Sequence, residues 1–422
     1  MGLVLYYHSQ STPEHERGRR RALTNAVGIS GTHGRLLIVH GHELSSYNFS
    51  DEHPLQPTRY ELTMSLLSSL GWLDRSDLDV EAPRPALTEE LLTVHSYPYV
   101  QAVAHAQAIA QGMTQPIDLS LYGLGTADNP LFPAIHDASA LYTGATIQAM
   151  NALMEGRAVH AYAPAGGQHH ALRARASGFC VYNDCAVAIT AAVAAGYRVA
   201  YVDLDAHHGD GVQAAFYSDP RVLTISIHES GRYLFPGTGG VDEMGASDGA
   251  GASINVPLPP MAGDDAILLA MERIVVPAVR SFVPDIMVAQ TGCDTHHRDP
   301  LSHLTATLPL YPRLAEHLHD LAHECCSGRW LIVGGGGYDP VDVTPRAWTA
   351  FFGTVLGQET ADVELPQDWI RASRQLGGDP PSRLLDDPGP VCEPLPSGTI
   401  TQLLTDIEDT ALAELRRQHG RD

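Results

Sequence analysis

Short apolar runs that alternate with helix-length segments constrain the fold of this chain more than any other feature. Residues 199–202 and 330–333 are runs of apolar residues, with the length and composition of strands buried on both faces. Segments of helical length, such as 180–195 and 264–282, lie between such runs. The alternation predicts an α/β fold of three layers, in which helices cover both faces of a mostly parallel central sheet. Further strand-like runs occur at 36–39, 159–162, 222–227 and 286–289.

The length of the chain, 422 residues, exceeds the usual size of one domain, so we expect either one large domain with extensions or two domains. With 44% hydrophobic and only 18% charged residues, the chain can bury a sizeable core. Residues 1–33 are polar and are predicted to be an N-terminal extension, whereas residues 34–356 form the main domain. Residues 357–422 start rich in proline and aspartate and are predicted to be a C-terminal extension packed on that domain.

Charge and cysteine usage narrow the partners and the compartment. A net charge of −23 argues against nucleic acid as a direct partner, because phosphate binding needs clustered cations. The acidic surface either attracts cationic substrates, such as lysine-rich peptides or polyamines, or serves solubility alone. The six cysteines lack paired C-x-x-C spacing, which indicates reduced thiols in a cytoplasmic protein. No apolar run has the length of a membrane span, so no membrane association is expected.

The run at 199–202 ends in a cluster of acidic and histidine side chains, D-L-D-A-H-H-G-D-G, at the carboxyl end of its strand. Open α/β sheets build their sites at this edge. Asp205 and His207 are two residues apart, so in extended backbone their side chains point the same way and can hold one ion. Asp203 and Asp210 then remain to orient other groups. The alternative is a set of helix-capping aspartates and surface histidines.

Other strands supply what this cluster lacks. His169 and His170 lie on a glycine turn, Asp294 adds a carboxylate from a different strand, and Tyr338 follows four glycines. An Asp, His, Asp set leaves a coordination position open for water, whose pKa a zinc-class ion lowers to about 7. A histidine can then accept the water proton, and a tyrosine hydroxyl can donate to the oxygen that becomes negative. This combination suits hydrolysis of an uncharged amide.

Six motifs in this order, A-G-G-Q-H-H-A, S-G-F-C, D-L-D-A-H-H-G-D-G, F-P-G-T-G, G-C-D and G-G-G-G-Y, resemble the signature of the zinc-dependent histone deacetylase family, which has the arginase/deacetylase fold. The resemblance covers about residues 34–356, which would be the catalytic domain. The chain is most similar to the prokaryotic acetoin-utilisation type, which also carries D-P-L-x-H-L, here at 299–304.

The resemblance implies a role for each matching residue. The catalytic metal, zinc or alternatively iron(II), would be bound by Asp205, His207 and Asp294. His170 would be the base, oriented by Asp210, while Asp203 would pair with His169 and Tyr338 would polarise the acetyl carbonyl. The resemblance further implies a substrate tunnel lined by Gly178, Phe179, Phe235 and Leu301, with Asp128 in contact with the substrate at its rim. Arg59 would belong to an internal channel for acetate release. A structural potassium ion would be bound near Asp203, Asp205, His207 and Ser226.

Related binuclear manganese enzymes carry a second-metal aspartate two residues after the equivalent of Asp294, where this chain has His296. They also need an aspartate at the position of Gly209, so we expect one catalytic metal. The expected activity is removal of acetyl or other acyl groups from lysine side chains of proteins, with an acyl-CoA synthetase as a candidate substrate. The alternatives are an acetylpolyamine or other small-molecule deacetylase, and a non-catalytic acetyl-lysine binding module.

Overall fold

Eight parallel strands form one sheet in the computed structural model, which describes residues 34–390, 395 and 398–420. The spatial order is β2-β1-β3-β8-β7-β4-β5-β6, and every neighbouring pair is parallel. The strands are β1 (Leu36–Val39), β2 (Leu78–Glu81), β3 (His160–Ala163), β4 (Val199–Asp203), β5 (Val222–Glu229), β6 (Ser253–Leu258), β7 (Ile286–Gln290) and β8 (Trp330–Val333).

Helices cover both faces of the sheet. Every residue of β1, β3, β4, β5, β7 and β8 is buried, and successive side chains of a strand point to opposite faces. The predicted three-layer α/β fold is therefore confirmed. The α-helices are α1 (Thr58–Ser69), α2 (Thr88–Leu91), α3 (Tyr97–Ala110), α4 (Ile135–Met154), α5 (Asp184–Ala194), α6 (Asp210–Phe216), α7 (Asp264–Ala270), α8 (Val276–Phe282), α9 (Leu310–Cys326), α10 (Val343–Val355), α11 (Gln367–Gln375), α12 (Thr399–Ile407) and α13 (Ala413–Gln418).

The six strands expected from apolar runs are all present, with ends that differ from the expectation by at most two residues. Strands β2 and β6 were not predicted, because neither is a continuous apolar run. Both lie at an edge of the sheet. The acidic residues of β2 pair with arginines, Asp79 with Arg35 and Glu81 with Arg157, and β6 contains a proline, which an edge strand tolerates.

The strand order brings the polar loops together. Strands β3, β8, β7 and β4 are consecutive in the middle of the sheet, so the segments that follow their carboxyl ends meet at one edge. These segments carry the histidine pair, the glycine run, Asp294 and the cluster after β4. Residues far apart in the chain thus converge on a single crevice.

The last described helices pack on the main domain. The indole of Trp369 in α11 donates a hydrogen bond of 2.9 Å to the carbonyl of Leu62 in α1. Near the end of the chain, α12 and α13 are joined by the π-helical turn Glu408–Leu412, and Arg273 donates to Glu408 at 2.8 Å. The predicted N-terminal extension, residues 1–33, lies outside the described residues, as do 391–394, 396–397 and 421–422.

None of the helices that the structure describes combines the length and the apolar composition needed to cross a membrane. Four cysteines in the described part of the chain are free, buried thiols: Cys180, Cys185, Cys293 and Cys326.

Candidate active site

A histidine pair lies on the loop after β3. His169 Nδ1 is 2.8 Å from Asp203 Oδ2, His170 Nδ1 is 2.7 Å from Asp210 Oδ1, and the two Nε2 atoms are 3.0 Å apart. The loop itself is held by the buried carboxylate of Asp184, which accepts hydrogen bonds from the backbone of Gly167 and Gln168. Each histidine therefore has its own carboxylate, in the pairing that the resemblance implies.

The two histidines differ in charge. Burial disfavours both cations, but at His169 the carboxylates of Asp203 and Asp205 outweigh it and raise the pKa to about 9. Burial and the neighbouring His169 cation lower the pKa of His170 to about 4, against the effect of Asp210. At neutral pH His170 is therefore neutral, its Nδ1–H donating to Asp210, and its Nε2 is an acceptor.

Next to this pair, Asp205, His207 and Asp294 form the candidate metal site. All three are buried, and each has one ligand atom within 4.8 Å of the others. His207 Nδ1 is 2.8 Å from Asp294 Oδ2 and 3.2 Å from Asp205 Oδ1. Burial, and after it repulsion by Asp205, raises the pKa of Asp294 above its ordinary value. Two carboxylates and one imidazole that converge in this way fit a divalent cation such as zinc or iron(II).

Residues outside the predicted set orient the two carboxylates. Gln290 Nε2 donates to Asp205 Oδ2 at 2.7 Å, and the backbone of Gly336 donates to the same oxygen at 2.6 Å. The backbone of Ala206 donates to Asp294 Oδ1 at 2.7 Å. Gln290 was missed by sequence reasoning. Its only signal is its place at the carboxyl end of a buried strand, four residues before Asp294.

A cavity of about 220 Å³ extends from the exposed Asp128 and Phe235 to the buried His170 and His207. Phe179 and Phe235 form walls, and the Phe235 ring lies against His170 with 5.0 Å between centroids. The Phe179 backbone has a φ of 66°, a left-handed conformation rare for a bulky residue, and its carbonyl accepts from the Tyr47 hydroxyl at 2.7 Å. The lining comprises Asp128, His170, Gly178, Phe179, His207, Leu234, Phe235, Leu301 and Tyr338, of which Leu234 was not predicted.

Tyr338 lines this cavity beside His207. Its ring centroid is 6.4 Å from that of His207, and burial followed by the charge of Asp294 raises its pKa well above the ordinary value, so the phenol keeps its proton. Its backbone donates to Asp299 Oδ2 at 2.7 Å, and Asp299 Oδ1 accepts from the backbone of Leu301 at 2.9 Å. Asp299 thus joins the tyrosine loop to a cavity wall, a function that its motif alone did not reveal.

Arg59 lies buried beside the tyrosine. Its guanidinium donates to the carbonyl of Gly337 at 3.1 Å and lies 5.9 Å from the Tyr338 ring centroid and 5.2 Å from that of Trp348. A buried cation is therefore present next to the tyrosine that lines the cavity.

A family model described as the histone deacetylase domain matches residues 53–355. The chain belongs to the histone deacetylase family. It is 41% identical to an acetoin utilization protein AcuC of Bacillus subtilis over 389 residues, which cover 91% of this chain and 98% of that protein. A Staphylococcus aureus AcuC is 40% identical over 335 residues, covering 79% and 84% of the two chains.

Solved structures give the same result. A crystal structure of a histone deacetylase homologue complexed with SAHA has a TM-score of 0.77 and 29% identity, and covers 89% of this chain and 100% of its own. A structure of a homologue from Aquifex aeolicus matches with the same values. The protein is therefore a deacetylase of the AcuC-like type, a hydrolase whose family in general depends on zinc, with the arginase/deacetylase fold.

Ser226 and His296 are the two positions that bear on the expected structural potassium ion and on the number of catalytic metals. Ser226 is paired in register with Asp203 on the adjacent strand, and its Oγ is 2.9 Å from His228 Nδ1. His296 belongs to a different cluster from the candidate metal ligands: its Nε2 is 2.7 Å from Asp387 Oδ2, in the region predicted to be the C-terminal extension. His296 is thus engaged by another carboxylate.

Proposed function

We propose that this deacetylase removes acetyl or other acyl groups from lysine side chains of protein or peptide substrates. The cavity of about 220 Å³, with aromatic walls and a polar inner end formed by His170, His207 and Tyr338, carries the proposal. Aromatic walls suit the methylene groups of a lysine side chain, and the polar end suits an amide. The surface is acidic overall, with a net charge of −23, which favours lysine-rich segments of a partner.

A divalent metal held by Asp205, His207 and Asp294 would, when bound, acidify water and polarise the acyl carbonyl. His170 is neutral, so it can take the proton from the attacking water and pass it to the leaving amine. Asp210 fixes its ring, and the His169–Asp203 pair lies behind it. Tyr338, with its proton retained, donates to the oxygen that becomes negative. The products are a carboxylate and a free lysine amine.

Residues at the rim of the cavity and in the protein interior are also given roles in this proposal. Asp128 is exposed at the mouth, and its backbone carbonyl accepts from His53 at 3.3 Å, so its carboxylate can accept hydrogen bonds from substrate backbone. Arg59 offers a buried cation to the acetate that leaves. Asp203, Asp205, His207 and Ser226 are proposed to hold a structural potassium ion. Zinc is the proposed catalytic ion, with iron(II) as the alternative.

The deciding experiment compares turnover of an acetyl-lysine peptide with that of acetylspermidine by the zinc-loaded protein. We expect the higher kcat/KM for the peptide, and inhibition of its turnover by SAHA, which is bound by the similar solved homologue. A clear preference for acetylspermidine would favour the small-molecule alternative. Absence of turnover for every acylated substrate, with zinc bound, would favour a binding module. Longer acyl peptides extend the same assay.

A metabolic enzyme such as an acyl-CoA synthetase is the proposed protein substrate, in the cytoplasm, where free thiols persist. The resemblance to acetoin utilization proteins supports this choice. The chain itself contains no lysine, so every acetyl-lysine signal in such an assay comes from the substrate. We expect loss of that signal and recovery of synthetase activity together. An acetylated synthetase that stays modified would exclude it as a substrate.

A further inference from the structure

Three histidines lie together at the end of the sheet opposite the active site. His160 is the first residue of β3, whose carboxyl end leads to the catalytic histidine pair. His319 and His323 lie in the last turns of α9, which runs back toward the start of β8. Because the strands are parallel, the amino-terminal ends of β3 and β8 are at the edge remote from the catalytic crevice. We call His160, His319 and His323 the histidine cluster.

The spacing within the histidine cluster matches that of ligands to one metal ion. His319 and His323 are four residues apart on one helix face, and their Nε2 atoms are 3.2 Å apart. Two nitrogens bound to one tetrahedral zinc at 2.0–2.1 Å lie about 3.3 Å apart. The ring centroid of His160 is 5.0 Å from that of His319 and 5.1 Å from that of His323, and each residue has one nitrogen within 4.8 Å of the others.

His160 supplies an independent sign of a ligand. Its side chain is only 3% exposed, and its Nδ1 has no hydrogen-bond partner among the residues that the structure describes. A buried polar atom without a partner is costly and rare in a native protein. A metal ion bound through this Nδ1 atom would compensate for the cost. Access is open, because His323 is exposed and His319 is partly exposed.

We propose that the histidine cluster binds a second divalent transition-metal ion, distinct from the catalytic ion. Three imidazoles favour zinc, nickel, cobalt or copper over magnesium and calcium, which prefer oxygen ligands. The ion ties strand β3 to helix α9, and so supports the strand from whose other end the catalytic histidines extend. This proposal is independent of the proposed substrate and mechanism.

Zinc stoichiometry tests it directly. After dialysis of the full chain against micromolar zinc, metal analysis should give two equivalents for the wild type and one for His323→Ala. The matched control, His317→Ala, alters a histidine of the same helix outside the cluster and should retain two equivalents. Asp205→Ala should retain the second equivalent while losing the first, and the double variant should retain none.

Activity separates the two sites. His323→Ala should keep the turnover of the acetyl-lysine peptide within about 2-fold of the wild type, and circular dichroism should show an unchanged fold. Asp205→Ala loaded with cobalt(II) should show the visible absorption of a tetrahedral cobalt ion. The double variant, which also lacks His323, should not show this absorption. One zinc equivalent in the wild type, or two in His323→Ala, would overturn the second site without affecting the deacetylase assignment. If the wild type did not deacetylate the peptide, the proposed substrate would be wrong, but the zinc stoichiometry would still test the second site.

Discussion

At the scale of single residues, the site depends on backbone that approaches the carboxylates closely. Gly336 donates its N–H to Asp205, and a Cβ atom at this position would lie 2.1 Å from Asp294 Oδ2 and 2.9 Å from Asp205 Oδ2. Real Cβ contacts are not this short, and the carboxylates cannot retreat because Gln290 and the Ala206 backbone hold them. The glycine run therefore leaves space for the carboxylates of the candidate metal ligands, in addition to leading to Tyr338.

Gly336→Ala is expected to displace both carboxylates, with loss of bound metal and a fall in kcat/KM of at least about 10²-fold, which is the scale of losing a catalytic contact. Metal analysis and peptide turnover measure the two effects. Gly357→Ala is the control for adding a methyl group: a Cβ at this position meets nothing within 4 Å, so metal binding should be retained despite the backbone strain at its φ of +69°. Full metal binding by Gly336→Ala would contradict the collision argument.

Tyr338→Phe removes the phenolic donor and keeps the ring against Phe179. We expect turnover to fall by about 10²-fold or more while zinc remains stoichiometric, because the hydroxyl acts on the developing negative charge and is not among the proposed ligands. Steady-state kinetics with parallel metal analysis test this. Unchanged kcat would exclude the proposed role of Tyr338.

Asp205→Ala removes a ligand, so metal and activity should be lost together, down to less than about a tenth of the wild-type values. The same metal analysis and peptide assay measure both losses. Retention of the catalytic equivalent would count against the assignment of Asp205.

At the scale of elements, one carboxylate from the C-terminal region secures the loop that follows β7. Asp387 accepts from His296 Nε2 at 2.7 Å and His297 Nε2 at 2.8 Å, and also from the backbone of Leu308 at 3.0 Å. These donors lie on the segment between Asp294 and α9. The loop that carries a candidate metal ligand is thus fastened by a residue that is more than ninety positions later in the chain than that ligand.

Asp387→Asn replaces an acceptor of several hydrogen bonds by an amide that can accept with one oxygen only. We expect the free energy of unfolding to fall by about 2–4 kcal/mol, the scale of losing hydrogen bonds to a charged group. Asp386→Asn, at the exposed neighbouring aspartate, is the matched control and should change it by less than about 0.5 kcal/mol. Urea unfolding measures both. Equal stabilities of the two variants would contradict the fastening role.

At the scale of the whole molecule, the last helices complete the core although they contain none of the proposed catalytic residues. Leu404, Ile407, Leu412 and Leu415 are each at most 1% exposed. Apolar side chains that are fully buried contribute about 1.5–3 kcal/mol each relative to exposure. The end of the chain therefore contributes to stability while the chemistry remains at the sheet edge.

Leu415→Ala should lower the free energy of unfolding by about 2–5 kcal/mol, as for other buried leucines, and leave kcat/KM of the folded enzyme within about 2-fold. Gln418→Ala, at an exposed position of the same helix, should leave stability nearly unchanged. Thermal unfolding combined with peptide turnover separates stability from activity. Wild-type stability in Leu415→Ala would show that the packing of α13 contributes little.

The sequence by itself determined the class of fold and the family. Apolar runs predicted six strands because fully buried strands need continuous apolar residues, and ordered motifs located the residues from His169 to Tyr338. Local pattern failed for β2 and β6, whose pairing depends on neighbours supplied by the rest of the sheet. The domain boundaries and the residue roles remain predictions.

Only the tertiary structure decided which residues support the site. Gln290 on Asp205, Asp299 on the Tyr338 backbone, and Asp387 on His296 are contacts between residues 39 to 91 positions apart, which no local pattern encodes. The histidine cluster likewise joins a strand residue to two helix residues that are 159 and 163 positions away in the chain. Side chains with specific partners are recognised from sequence only when a motif records them, because a hydrogen bond depends on distance in space and not along the chain.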